Sequence, residues 1–448
     1  MNRSRRSHSR ICKPATARSP PLYSWLQWLT FSSFGFNVFS FALLKNLILF
    51  ALYACTYFVA RPLVGIGGAI TASASMLLFP EIAWESQRDL THTVLLTTIA
   101  SGTLWCYFAM LRKPSCWRYA LFGALIACGL LSKYNFTIFI GGLACASLLV
   151  PEHRAIVWNR KLLITTAVAL LLFMPHGYWL LTHLAEASGG TLAKMREGAK
   201  ASYAHNLLRG FGSMLGGAIE FVTPMWLVYL FVVRRHPGQT SIDTRGTTAR
   251  FFLISYATFF ALMCIILLSG HISNIKGRWL QQILFPVPLV LFVLFPALAR
   301  TEVYRPILRV VAALAILILV AIPLRVQLGP YFNSYSRSHH PYPQLSRELA
   351  QRFPQATAMI VGEKLAAGNL YFQRPSIPTY ILDRFLAHPT ALRGPFLFVT
   401  PSSTHHGQLD SLLRLYPNAK VKQQGQLDIP YQKSRGPTMA FDYALIEP

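Results

Sequence analysis

"NVFSFALLKNLILFALYACTYFVA", residues 37–60, contains one charged side chain, Lys45, and is otherwise apolar or small. A helix crossing the hydrocarbon core of a bilayer needs roughly 20 such residues. Runs of the same character recur at 64–83, 91–111, 118–132, 134–150, 161–183, 207–233, 251–270, 280–299 and 306–325. The pattern predicts about ten spans. Composition agrees: the 448 residues are 53% hydrophobic and only 13% charged, with a mean hydropathy of +0.39, outside the soluble globular range. The expected fold class is an all-α polytopic membrane domain of about ten spans with a small C-terminal α/β domain on the periplasmic side.

Three regions follow. Residues 1–36 comprise a basic segment and "LYSWLQWLTFSSFGF" (22–36), whose length, serines and glutamine suit a helix lying at the interface. Residues 37–325 form the membrane domain. Residues 326–448 form the soluble domain: "PQLSRELAQRF" (343–353) and "GQLDSLLRLY" (407–416) read as helices, and "AMIVGE" (358–363), "FLFVT" (396–400) and "AFDYALIE" (440–447) as strands.

The net charge of +26 does not call for nucleic acid in a chain of this kind, since arginine and lysine collect in cytoplasmic joints and against membrane lipids. Arg61, "RKPSCWR" (112–118), Arg154, "NRK" (159–161), "RRHPGQTSIDTR" (234–245), Arg300 and Arg305 mark the cytoplasmic set. The opposite joints, including 185–206 and 271–282, and everything after Arg325 then face the periplasm. By the same alternation the basic segment 1–18 falls outside, against the rule that sets every other joint. Seven cysteines lie in or beside spans and read as small apolar side chains.

Chemistry concentrates in "PEIAWESQRDLTH" (80–92). Glu81, Glu85, Arg88 or Asp89, and His92 recur at helical spacing, so a helix there carries one polar stripe. Carboxylates four residues apart repel unless a positive group intervenes. Arg88 offers one, and the stripe suits a hydroxyl, a sugar or a bridging cation; the competing reading is a solvated loop with Arg88 paired locally. Ionisable groups at a membrane are usually functional. Lys133 in "GLLSKYN", and Lys276 and Arg278 in "NIKGRWLQQ", supply cations at headgroup depth, where a lipid-linked phosphate is met. Snorkelling to the interface is the alternative for the lysines. His339–His340 and His405–His406 lack metal-ligand spacing and read as solvated. No resident metal or other cofactor is expected, with a divalent cation between the carboxylates left open.

"SPPLYSWLQW" (19–28), "ESQRDLTH" (85–92), "GLLSKY" (129–134), "PHGYWLLTHL" (175–184) and "KGRWLQQILFP" (276–286), in this order, resemble bacterial membrane glycosyltransferases of the protein O-mannosyltransferase and lipid A aminoarabinose transferase type. This is the GT-C, glycosyltransferase family 39-like group, and the resemblance covers about 19–330. It implies transfer of a sugar from a polyprenyl-phosphate donor to a periplasmic glycan, lipid or protein acceptor, in the bacterial inner membrane. It places Asp89 on the acidic position after the family's third span, and Asp89 and Glu85 are the catalytic candidates. Lys133, Lys276 and Arg278 take the donor phosphate, leaving Glu81, Arg88 and His92 for acceptor or sugar.

One departure matters. The family carries an acidic motif in a first outer loop, before the "PPLY" segment, whereas residues 1–80 contain no Asp or Glu and Ser19 stands where relatives have lysine. That absence and the misplaced basic segment lead to one expectation, a chain lacking the family's first span and loop through truncation or a misassigned start, with impaired activity. Two non-enzymatic readings compete: a lipid-linked sugar flippase or transporter, for which no paired repeat with broken helices is evident, and a scaffold whose outer domain binds a partner.

Overall fold

The structure, a computed structural model, describes residues 20–88, 91–185, 189, 193, 195–200, 202–235, 242–392, 394–403, 407–433 and 436–448. The chain divides within its last long membrane helix, into a unit ending at Ile318 and one running from Leu319 to Pro448.

The first unit is helical: α1 (Leu22–Phe34), α2 (Val38–Ala74), α3 (Thr91–Arg112), α4 (Cys116–Ser132), α5 (Phe136–Leu149), α6 (Pro151–Val157), α7 (Leu162–Thr182), α8 (Tyr203–Arg234), α9 (Thr247–Leu268), α10 (Gly277–Leu284), α11 (Val287–Leu294) and α12 (Thr301–Leu328). Asn37 starts α2 by accepting the Ser40 amide hydrogen at 2.9 Å, a side-chain cap for an otherwise unpaired donor. Among the described residues six helices are long and apolar enough to cross a membrane, or up to eight if the bent pairs α5–α6 and α10–α11 each count as one.

That differs from the ten spans expected, for identifiable reasons. Segments 37–60 and 64–83 follow one another without an intervening loop, joined by a kink at Gly65 (φ 74°). Segment 118–132 is the 17-residue α4, shorter than a full crossing. Segment 134–150 is the 14-residue α5, followed by a 110° bend into α6, and segment 280–299 bends by 43° between α10 and α11. Apolar length alone does not report where a backbone bends.

Helix α3 is central. Val94, Leu96, Ala100, Leu104, Cys106, Tyr107 and Met110 are all buried, and its hydroxyls are satisfied locally, Thr97 on the Thr93 carbonyl at 2.9 Å and Ser101 against Thr56 at 2.8 Å. Helix α7, by contrast, exposes Leu163, Leu170, Leu171, Leu172 and Leu181. An apolar exterior of this kind belongs against lipid.

In the second unit, α13 (Tyr342–Arg352), α14 (Lys364–Gln373), α15 (Leu382–Ala387) and α16 (Gln408–Leu413) accompany β1 (Ala358–Val361), β2 (Thr379–Ile381), β3 (Phe396–Pro401), β4 (Lys420–Pro430) and β5 (Thr438–Glu447). The sheet order is β2-β1-β3-β5-β4, parallel across β2-β1-β3 and antiparallel across β3-β5-β4. Alternate strand residues feed two cores, Met359, Val361, Leu397 and Val399 on one face and Ile360, Phe396, Phe398 and Ile446 on the other. His339 is buried, not solvated as expected. Its Nδ1 accepts from the Ser336 amide at 3.0 Å and its Nε2 donates to the Val326 carbonyl at 2.7 Å. His405 and His406 lie outside the described residues.

Candidate active site

After Leu78 the chain leaves helical geometry: Phe79 is extended and Pro80 restarts it in the αR region. A five-residue π turn, Glu81–Glu85, follows, closed by the Ser86 amide and, at 2.6 Å, the Ser86 hydroxyl on the Glu81 carbonyl. Such widened turns are rare and cluster at functional sites. The uniform α-helical stripe expected over 81–92 is therefore replaced by a π turn, a short helical piece ending at Arg88, and the start of α3. Asp89 lies outside the described residues, and so does the side chain of Arg88.

The Glu81 carboxylate reaches the N-terminus of α10: its Oε1 is 3.0 Å from where a Cβ on Gly277 would stand. Its Oε2 is buried and has no hydrogen-bond partner among the described residues. Burial pushes this carboxyl above its ordinary pKa, and the nearby charges of Glu220 and Glu85 add to the rise. Gly277 separates the two cations expected to bind phosphate. Lys276 donates to Glu197 Oε2 at 2.8 Å. That hydrogen bond and the Lys276 charge hold the Glu197 carboxyl below its usual range, with Arg209 and Arg278 contributing. Arg278 is half-buried on the first turn of α10.

Lys133 occupies the extended break between α4 and α5, where its Nζ donates to Thr93 Oγ1 at 2.8 Å. Its charge acts on His92, whose ring lies 5.0 Å from that of Tyr23 and whose Nδ1 is buried with no hydrogen-bond partner among the described residues. Asn135 ties this group to α10: its Nδ2 donates to the Trp279 carbonyl at 3.5 Å, and its carbonyl accepts from Gln282 Nε2 at 2.9 Å. The structure thus brings Glu81 to the Lys276–Arg278 turn, and Lys133 to His92. Glu85 is half-buried beside the π turn.

Several polar residues here were missed by sequence reading. Lys45 donates to the Gln87 carbonyl, and Glu220 stands exposed in the middle of α8; both are charges inside apolar runs, which is itself a signal. Tyr23, Asn135, Glu197, Gln281 and Gln282 carry no comparable mark, because neutral amides and a loop acid do not stand out without the tertiary context.

Buried polar groups and paired charges gather on an interrupted helical bundle, and comparison with known proteins identifies the family. Residues 18–179 match the dolichyl-phosphate-mannose-protein mannosyltransferase family. The chain is 30% identical over 444 residues to the lipopolysaccharide core galacturonosyltransferase RgtB of Rhizobium johnstonii, covering 95% of this chain and 88% of that one. It is 27% identical over 447 residues to RgtA of the same organism, covering 96% and 88%. Its fold is similar to ArnT from Cupriavidus metallidurans, with a TM-score of 0.59 to the form bound to undecaprenyl phosphate (13% identity, 98% of this chain and 92% of that one) and 0.61 to the apo form (12% identity, 98% and 91%). The chain belongs to the GT-C, glycosyltransferase family 39-like membrane glycosyltransferases, and it is a multi-pass membrane glycosyltransferase. The transporter reading is not favoured.

Proposed function

We propose that this glycosyltransferase moves galacturonic acid from a polyprenyl-phosphate carrier to the lipopolysaccharide core at the periplasmic face of the bacterial inner membrane. The observation that carries the reading is the 30% identity to a lipopolysaccharide core galacturonosyltransferase over 88% of that protein's length. In this reading residues 326–448 form the periplasmic domain and 37–325 the transferase domain, preceded by the interfacial segment 1–36.

The reaction is a displacement at the anomeric carbon. An acceptor hydroxyl forms the new C–O bond as the bond to the phosphate oxygen breaks, and polyprenyl phosphate departs with the electron pair. Asp89 or Glu85 accepts the hydroxyl proton. Lys133, Lys276 and Arg278 stabilise the charge that grows on the leaving phosphate; the Lys276–Glu197 ion pair marks one cation that an incoming phosphate would have to recruit from a carboxylate. Glu81, Arg88 and His92 orient sugar and acceptor.

The experiment is reconstitution in proteoliposomes with polyprenyl-phosphate-linked galacturonic acid and lipopolysaccharide core. Labelled galacturonic acid should appear on the core, and Asp89→Asn and Arg278→Ala should each lose transfer while accumulating normally. Movement of the intact donor across the bilayer with no sugar on the acceptor would replace this reading with a carrier.

A further inference from the structure

Gln281 is fully buried, at 0% exposure, and among the described residues neither its amide oxygen nor its amide nitrogen has a hydrogen-bond partner. Buried polar groups in native proteins are almost always paired. A leucine or methionine would fill the same volume without that cost. The neighbouring Gln282 is different, because its amide nitrogen is engaged by the Asn135 carbonyl.

The direction of the side chain follows from helix geometry. Gln281 lies one turn after Gly277 on α10, and helical side chains lean toward the N-terminus over the preceding turn. The Gln281 amide therefore points to the face of Gly277, the face on which Glu81 sits with Oε1 at 3.0 Å from the Cβ position and Oε2 unpartnered. Helix α8 supplies the next wall: a Cβ on Gly217 would stand 3.1 Å from Gly277 Cα. Glu220, one turn beyond Gly217, is near enough for its charge to act on Glu81.

The chemistry of this group is selective. A metal ion held by the amide oxygen and the carboxylates leaves the two Gln281 N–H donors unpaired, and an anion leaves the amide oxygen unpaired. Neutral groups that both donate and accept satisfy everything present, because the carboxamide donates and accepts while the carboxylate accepts. Vicinal ring hydroxyls have that character. We propose that Gln281, together with Glu81, binds hydroxyl groups of the transferred sugar and makes Gln281 a specificity-determining residue. This rests on the glycosyl-donor reading above.

The test compares two probes on the purified full chain in nanodiscs, undecaprenyl phosphate and undecaprenyl-phosphate-linked galacturonic acid. Gln281→Met keeps length and volume and removes the amide. It should weaken the sugar-bearing lipid by about ten- to a hundredfold, the range for losing one or two buried hydrogen bonds, and leave undecaprenyl phosphate unchanged. Glu81→Gln should also act on the sugar-bearing lipid alone, which keeps the question answerable if Gln281→Met fails to accumulate. Equal affinities of the variants and the parent for both lipids, or parallel loss of both lipids, would overturn the assignment. A parent chain that does not distinguish the two lipids would instead overturn the glycosyl-donor reading, and this inference with it.

Discussion

Gly217→Ala perturbs the crossing of α8 and α10, and its effect follows from the backbone alone. The added methyl would stand 3.1 Å from Gly277 Cα and 3.2 Å from Gly277 N, tighter than ordinary contact against atoms that have no rotamer to change. That backbone is anchored on both sides, the Ile275 amide on Ser213 Oγ at 2.8 Å and the Trp279 amide on the Lys276 carbonyl at 2.8 Å. Alanine in place of glycine favours a helix by up to about 1 kcal/mol, whereas overpacking costs about 1–3 kcal/mol. The net expectation is destabilisation of about 1 kcal/mol. Relief by sliding α10 a few tenths of an ångström moves Lys276 and Arg278; a full 1 Å misplacement can cost about 10²-fold, so about a tenfold loss of transfer is expected here. Gly216, one residue away on the same helix, is the control, since a Cβ there meets nothing within 4 Å. Its alanine variant keeps only the helical gain. The assays are thermal unfolding in detergent and sugar transfer in proteoliposomes. Indistinguishable Gly216→Ala and Gly217→Ala proteins would refute the claim that this close approach positions the cationic turn.

Two further outcomes are expected. Because the Glu81 carboxyl is raised by burial and by Glu220 and Glu85, the folded state favours its protonated form, and its ionisation costs stability progressively as pH rises from the ordinary carboxylate range through the raised value. Glu81→Gln should therefore match the parent in thermal unfolding at low pH and become the more stable protein as pH rises; a gap that closes with rising pH contradicts the assigned direction. In a background without native cysteines, a membrane-impermeant thiol reagent should label Ser402→Cys but not Arg160→Cys in cells with a permeabilised outer membrane, and the reverse pattern would invert the proposed topology.

The sequence by itself determined that this chain lives in a membrane, because in lipid the backbone is satisfied only within helices or closed barrels, and apolar runs of about 20 residues are the signature of the helices. It also located α1 from its length and composition, α13 from its helical pattern, and β1, β3 and β5 as short apolar runs, β1 and β3 being buried along their whole length. It did not show β4: "KVKQQGQLDIP" is polar and mostly exposed, and it becomes a strand by pairing with β5 at the sheet edge. Tertiary structure alone decided the π turn at Glu81, the bend between α10 and α11, and the approach of Gly217 to Gly277, since each depends on backbone geometry that no local apolar pattern records. The same holds for the candidate site. Glu81, Lys133, Lys276 and Arg278 were legible as charges out of place, while Asn135, Gln281 and Gln282 were not, because a neutral amide attracts notice only once its surroundings exclude water and leave it without a partner.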